Sequence, residues 1–234
     1  MNRELKYNAT DKLSDLICEN YLLLQVTSRF GLPLGFGEKS VGEVCTLHHV
    51  DTATFLAVVN FINENYSRVQ DAGEELSVAA LIDYLKQSHS YFLDFCLPAI
   101  RERLVRAIDG DEKEWSALLL RFFDDYVNEV RKHMNYEDKT VFTFAAALQN
   151  GKRVENYNII TFSKQHKSIE GKLSELKNII IKYYPSHQNN HLLNGALADI
   201  FACEEELNSH CKVEDYIFVP TVLKLERRLA NANK

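Results

Sequence analysis

Apolar residues recur at every third or fourth position along four long stretches of the chain: 76–107, 112–148, 159–184 and 190–231. This spacing places the apolar side chains on one face of an α-helix. The breaks between the stretches are short and contain turn-forming residues: 109–111 (Asp-Gly-Asp), 149–151 (Gln-Asn-Gly) and 185–190 (Pro-Ser-His-Gln-Asn-Asn). Since short connections join helices that run in opposite directions, the pattern predicts an antiparallel up-down-up-down four-helix bundle.

A smaller helical module is predicted ahead of this bundle. Glycine and proline are scarce, at nine and four residues, and several of them crowd between Gly31 and Gly42. Patterns typical of strands are nearly absent, so the predicted fold class is all-α. Three short helices are predicted around the glycine-rich segment, at 14–30, 40–47 and 51–65, with Ser14, Ser40 and Asp51 as N-caps. The predicted domains are residues 1–70 for the module and 76–234 for the bundle.

Six polar residues interrupt the apolar faces of the four long helices. Each helix contributes one histidine, and the second and fourth add a glutamate one turn later: His89, His133, His166, His210, Glu137 and Glu214. A single buried histidine is usually a hydrogen-bonded core residue, whereas an ionised carboxylate in an apolar interior is costly unless a cation or hydrogen-bond donors compensate its charge. Because all four helices place such a group on the inward face, the sequence predicts a metal site on the bundle axis.

The number and type of these groups predict a pair of ions. If both glutamates bridge two ions, each ion receives two imidazoles and two carboxylate oxygens, and an oxo or hydroxo bridge adds a fifth ligand. A six-coordinate ion then keeps an open position, as a reactive site does. Mixed imidazole and carboxylate donors suit iron or manganese, while structural zinc prefers four-coordinate, thiolate-rich sites. The donors therefore predict a bridged pair of iron or manganese ions, with zinc less favoured.

Charge and composition exclude several other classes of protein. The chain has 27 basic and 33 acidic residues and no stripe of Lys or Arg, which argues against nucleic acid as a partner. No run resembles a signal peptide or approaches the ~18 apolar residues of a membrane span, so a cytoplasmic protein without a membrane partner is predicted. The five cysteines are scattered without Cys-x-x-Cys spacing, which predicts free thiols.

Two of the cysteines are predicted to share one layer of the bundle core. Cys96 lies two helical turns after His89, and Cys203 lies two turns before His210, on the first and fourth helices. In antiparallel helices both thiols then fall at the same height, ~10 Å from the predicted metals by helix rise. Packing as small buried apolar groups is the simpler interpretation. A pair of facing thiols that responds to oxidation is the alternative.

The two histidine-glutamate segments resemble a known motif. Residues 133–142 read HMNYEDKTVF and residues 210–220 read HCKVEDYIFVP. Each is similar to the hemerythrin-type (HHE) cation-binding motif, His-x-x-x-Glu-(Glu/Asp) followed by an apolar stretch that ends in Phe-Pro. His89 in SHSYF and His166 in KQHKSIE match the other two histidine positions. The layout of a small helical module and then a bundle resembles the repair-of-iron-centres (RIC) family of di-iron proteins over nearly the whole chain.

This resemblance implies a set of ligands. The iron ligands would be His89, His133, His166 and His210, with Glu137 and Glu214 as bridges. By helix adjacency, His89 and His133 would share one iron, and His166 and His210 the other. Asp138 and Asp215 follow the bridging glutamates and would either hydrogen-bond behind the ligands or lie at the surface.

The chain departs from these relatives at two places. Oxygen-carrying hemerythrins have a fifth histidine one turn after the third-helix ligand, where this chain has Glu170. That difference favours the RIC-like site, with its extra open position, over reversible oxygen carriage. The vicinal Cys-Cys pair of the RIC N-terminal module would fall on Gly35 and Phe36. A thiol-dependent role is therefore not implied for this module.

The function implied by the resemblance is that of a non-haem di-iron protein of the nitrosative and oxidative stress response. Its task would be the repair of damaged iron–sulfur clusters, with nitric oxide or oxygen as small ligands and iron–sulfur proteins as partners. Whether the iron pair turns over nitric oxide or oxygen as an enzyme stays open. One alternative is a non-catalytic sensor of oxygen or nitric oxide or an iron-binding protein, and another is a metal-free helical interaction module.

Overall fold

The computed structural model describes residues 6–63, 76–108, 113–152, 157–163, 170–184 and 191–232. Every regular element in these ranges is helical, and no strand occurs among them. The α-helices are α1 Leu13–Glu19, α2 Leu23–Arg29, α3 Val41–Leu47, α4 Thr52–Asn63, α5 Val78–Ser90, α6 Leu97–Ala107, α7 Lys113–Tyr136, α8 Phe142–Gln149, α9 Ile159–Ser163, α10 Glu170–Tyr183, α11 His191–Val213 and α12 Val219–Ala232. The all-α class is confirmed, and the up-down-up-down direction of the bundle helices stays a prediction.

Within the described ranges, three π-helical segments make the later helices longer than these bounds indicate. They join α5 to α6, α7 to α8 and α11 to α12, at Tyr91–Cys96, Glu137–Val141 and Glu214–Phe218. Continuous helix therefore covers three of the four predicted stretches to within two residues at each end. The remaining stretch contains α9 and α10, and residues 164–169 between them lie outside the described ranges. Of the helices that the structure describes, none has the length together with the apolar composition needed to cross a bilayer.

The N-terminal helices show which predicted caps form. Ser40 begins α3 with a capping box, because its Oγ accepts from the Glu43 N–H and the Glu43 carboxylate accepts from the Ser40 N–H at 2.8 Å. Asp51 Oδ1 accepts from the N–H of Thr54 at 2.8 Å at the start of α4. Both predicted N-caps are confirmed. The third, Ser14, is wrong, since α1 already begins at Leu13.

The single helix predicted at 14–30 is also wrong, because the chain breaks it between α1 and α2. Oδ1 of Asn20 accepts a hydrogen bond from the backbone N–H of Leu22 at 3.1 Å. A short asparagine side chain competes in this way with the hydrogen bonds of a continuing helix. The apolar spacing runs on across the break, which is why the pattern alone predicted one element.

The predicted break at 149–151 is a helix end closed by a glycine. Gly151 has φ 71°, in the left-handed region that favours glycine. Its N–H donates to the Leu148 carbonyl, and the Lys152 N–H donates to the Ala147 carbonyl, both at 2.9 Å. This pair of bonds is a Schellman motif and satisfies carbonyls at the end of α8. The other two predicted breaks, at 109–111 and 185–190, lie outside the described residues.

The described residues group into two compact units. The first takes its residues from 1–88, 142–160 and 212–234. Within it, Phe30 packs on Tyr84 with ring centroids 4.8 Å apart, and Phe61 packs on Tyr216 at 5.9 Å. The N-terminal helices thus bury aromatic side chains against residues from later helices. The division into domains near residue 70 stays a prediction, and its boundary falls outside the described ranges.

The second unit takes its residues from 89–141 and 161–211. Its core is a continuous cluster of buried aromatic and aliphatic side chains, among them Phe92, Phe123, Tyr126, Leu176 and Ile200. Burial of one side chain of this size contributes about 1.5–3 kcal/mol. This core packs between the helices that carry His89, His133 and His210.

Candidate metal centre

The π-helical segments lie beside the predicted ligands. One begins two residues after His89, and the other two begin at the predicted bridging residues, Glu137 and Glu214. In the last segment the Val219 N–H donates to the Glu214 carbonyl, five residues back. Such a turn adds one residue to the helical repeat and re-aims the side chains around it, and π-turns occur frequently at functional sites.

Four of the six predicted ligands lie close together. His89, Glu137, His210 and Glu214 each offer one ligand atom, and these atoms all lie within 4.8 Å of one another. Both glutamates are fully buried, and the two histidines are only 2% exposed. Two carboxylates and two imidazoles therefore share a volume from which water is almost excluded.

Glu137 is the residue on which two imidazoles converge. Its Oε1 lies 2.7 Å from Nε2 of His133, one turn earlier on the same helix. Its Oε2 lies 3.2 Å from Nε2 of His89. His133 is more open than the four clustered residues, with a side chain 15% exposed. The two oxygens of one carboxylate thus face two different histidines.

Asp138 holds His89 from the other side of its ring. The Asp138 Oδ1 lies 2.9 Å from Nδ1 of His89, and the ring of His210 packs beside that of His89 with centroids 5.1 Å apart. Because a carboxylate accepts hydrogen bonds, this contact assigns a proton to Nδ1 and leaves Nε2 as the ring nitrogen that faces Glu137 and would bind a metal. From the sequence, Asp138 was expected either to hydrogen-bond behind a ligand or to lie at the surface, and the contact with His89 favours the first. This contact joins two helices whose residues are far apart in the sequence, so local residue spacing does not predict it.

A cavity of about 110 Å³ in the second unit reaches the site. Its walls combine apolar side chains with the edges of two predicted ligands: Tyr126, Val130, His133, Met134, Leu173, Glu204, Leu207, Asn208, His210 and Cys211. Burial, with the nearby thiols and Glu204, raises the pKa of Tyr126 well above its ordinary value, so this phenol stays protonated. Since one water takes ~30 Å³ of liquid volume, the cavity has room for a small ligand. No motif in the sequence indicated this cavity.

The sixth predicted ligand, His166, lies outside the described residues. The side chain of Glu170, at the position of the fifth hemerythrin histidine, is likewise outside them. The roles of all six residues as ligands, and their division between two ions, stay predictions.

The donor set fits a bound cation. Two carboxylates buried together in an apolar core carry a desolvation cost that a divalent ion offsets. Imidazole nitrogen and carboxylate oxygen, without a thiolate in the cluster, are the donors that iron and manganese accept readily. The helices that carry His89, Glu137 and His210 pack on the buried core of the second unit.

Comparison with known proteins agrees with this chemistry. The family model described as the hemerythrin HHE cation binding domain matches residues 80–222, more than half of the chain. No curated protein and no solved structure matched the chain in the other two comparisons. The match includes all four clustered residues. The chain therefore belongs to the hemerythrin HHE cation-binding family, whose domain binds metal cations.

Proposed function

We propose that this chain is a cytoplasmic, non-haem di-iron protein of the nitrosative and oxidative stress response that takes part in the repair of damaged iron–sulfur clusters. The observation that carries the proposal is the buried cluster of His89, Glu137, His210 and Glu214. The specific task comes from the resemblance of the two-part layout to the RIC family. Nitric oxide or oxygen is the proposed small ligand, and iron–sulfur proteins are the proposed partners.

In this proposal the six residues predicted from the sequence hold two iron ions: His89, His133, His166 and His210, with Glu137 and Glu214 as bridges. The domain is an antiparallel four-helix bundle at 76–234, preceded by the module at 1–70. Bound iron would supply the redox chemistry toward nitric oxide or oxygen. Manganese, which accepts the same donors, is the less favoured alternative. Zinc would suit the proposed reactivity poorly, because it has no redox chemistry.

The chain's own residues prepare the site for a small ligand. Asp138 fixes the ring of His89, and the carboxylate of Glu137 lies between two imidazoles. The cavity gives access to the edges of His133 and His210 through walls that are mainly apolar. An uncharged diatomic ligand enters such a space without losing much hydration, whereas an ion does not.

Metal analysis of anaerobically purified protein tests this proposal. Two iron ions per chain are expected, and the optical spectrum should change when nitric oxide is added. An iron–sulfur enzyme inactivated by nitric oxide should regain activity faster in the presence of the iron-loaded chain than with an equal amount of free iron. A single zinc ion per chain would overturn the iron assignment, and recovery no faster than with free iron would overturn the repair role.

A second candidate is a sensor or iron-binding protein that takes up oxygen or nitric oxide without turnover. The loop of the N-terminal module favours it, because Gly35 and Phe36 stand where the RIC family has its thiol pair. Gly35 has φ 95°, a conformation that strains any other residue. Conversion of nitric oxide to nitrous oxide by the reduced protein would favour an enzyme, and stoichiometric uptake alone would favour the sensor.

Replacing Asp138 by alanine is expected to weaken metal binding about 10- to 100-fold, the usual cost of removing the outer partner of a ligating histidine. The ring of His89 loses the acceptor that fixes its orientation. Competition with a chromophoric chelator measures the affinity, and Asp138→Asn, which keeps an acceptor oxygen, should recover part of it. Asp125→Asn, an exposed position on the same helix, is the matched control. Equal affinities for Asp138→Ala and the control would show that Asp138 is only a surface residue.

A further inference from the structure

Two thiols meet in the core of the second unit, away from the metal cluster. Cys96 and Cys203 both pack at the same buried cluster, beside Tyr126, and the Cys203 thiol acts on the Cys96 thiol as a hydrogen-bonding neighbour. Cys203 is 1% exposed and belongs to the buried core cluster, while the half-buried Cys96 packs against that cluster. The two cysteines come from different helices, since Cys96 ends the first π-helical segment and Cys203 lies in α11. Both positions were predicted to share a core layer, and the contact favours the interpretation as a facing pair.

The surroundings of the two thiols favour reaction at Cys96. The hydrogen bond from Cys203 lowers the pKa of the Cys96 thiol despite its burial and the nearby Glu206 carboxylate, and Tyr91 adds a second hydrogen bond in the same direction. Cys45 behaves in the opposite way, because burial raises its pKa to about 11. Since the thiolate is the nucleophile in thiol chemistry, the half-buried Cys96 is prepared to react first and the buried Cys203 second.

We propose that Cys96 and Cys203 form a redox-active dithiol site that closes to an intramolecular disulfide when it meets a low-molecular-weight disulfide. The Cys96 thiolate attacks one sulfur of the small disulfide, forms a mixed disulfide and releases one small thiolate. The sulfur of Cys203 then attacks Cys96, gives up its proton and releases the second small thiol. The two protein thiols lose two electrons and two protons in total, and the small disulfide is reduced to two thiols.

Closure of this site would link the two helices that carry His89 and His210. Each cysteine lies two turns from the histidine on its own helix. A disulfide fixes the separation of its two backbones within narrow limits. The reduced and oxidised forms therefore differ in how freely these helices move relative to each other. The chemistry needs no metal, so its outcome is independent of the proposed iron function.

Redox titration of the full-length chain tests the site. The reduced protein is equilibrated with mixtures of oxidised and reduced glutathione, free thiols are alkylated, and the digest is mapped by mass spectrometry without reduction. A linked peptide pair containing Cys96 and Cys203, lighter by two hydrogens than its reduced parts, is expected to form, with Cys45 still a thiol. Glutathione on the exposed Cys18 alone, or a pair that links other cysteines, would overturn the proposal.

Single serine variants separate a dithiol site from simple core packing. Cys203→Ser should leave glutathione trapped on Cys96 as a stable mixed disulfide, because the second thiol is missing. Cys96→Ser should suppress oxidation at Cys203, since the more accessible partner that reacts first is gone. Cys211→Ser, a buried thiol on the same helix as Cys203, is the matched control and should titrate like the unaltered chain. Circular dichroism checks that each variant folds. If a variant does not fold, the disulfide mapping of the unaltered chain decides whether the dithiol site exists. We expect the Cys96–Cys203 disulfide to form in Cys211→Ser at the same redox midpoint as in the unaltered chain. We expect no such disulfide in the other two variants.

Discussion

Replacing Glu137 by glutamine is expected to remove tight metal binding from the chain. The carboxylate is fully buried, and its two oxygens face Nε2 of His133 and Nε2 of His89. An amide keeps the size of the side chain but offers one weaker acceptor oxygen and no charge. The loss should exceed the roughly 10- to 100-fold cost of removing an outer partner of a ligand. Metal content after gel filtration and the affinity in chelator competition measure it.

Glu129→Gln is the matched control for this variant. Glu129 lies two turns earlier on the same helix, is partly exposed and pairs with Lys172 rather than with a histidine. It should bind as much metal as the unaltered chain. Both variants should keep the helical content of the parent, since glutamine has the same size and shape as the glutamate that it replaces. Full metal content in Glu137→Gln would show that the buried cluster is not where the cation binds.

The fold was predictable as far as it depends on apolar spacing and on caps with local chemistry. Ser40 and Glu43 satisfy each other's backbone within four residues, so their sequence alone predicts the start of α3. The break at Asn20 was not predictable in the same way. The apolar spacing continues through it, and only a competing side-chain hydrogen bond decides where the backbone turns.

The site was predictable where its residues share a helix and less so where they meet across helices. The His-x-x-x-Glu spacing places His133 and Glu137 one turn apart, and the structure shows their side chains in contact. The contact of Asp138 with His89 depends on how two helices pack, and no local pattern encodes it. The π-turns also leave no mark in the apolar spacing, because one extra residue in the repeat is absorbed within a single turn.

Removing the metal with a chelator is expected to lower the melting temperature of the chain by roughly 10 °C. An ion bound at a concentration 1,000-fold above its dissociation constant stabilises the native state by about 4 kcal/mol. For a chain of this length, 1 kcal/mol shifts the melting temperature by about 2–4 °C. Differential scanning calorimetry with and without chelator measures the change. The Glu137→Gln variant should show almost no response to the chelator, because it holds little metal to lose.

The same variant is expected to be more stable than the unaltered chain once metal is absent. Glu137 and Glu214 are then two fully buried carboxylates without their cation. Replacing one of them by a neutral side chain of the same shape removes a buried charge, whose desolvation costs on the order of several kcal/mol. The order of stabilities should therefore reverse between metal-loaded and metal-free protein. If the metal-free unaltered chain proves the more stable of the two, the imidazoles of His89 and His133 already neutralise Glu137. The cluster would then be a charge network that stabilises the core, and its carboxylate would not need an ion.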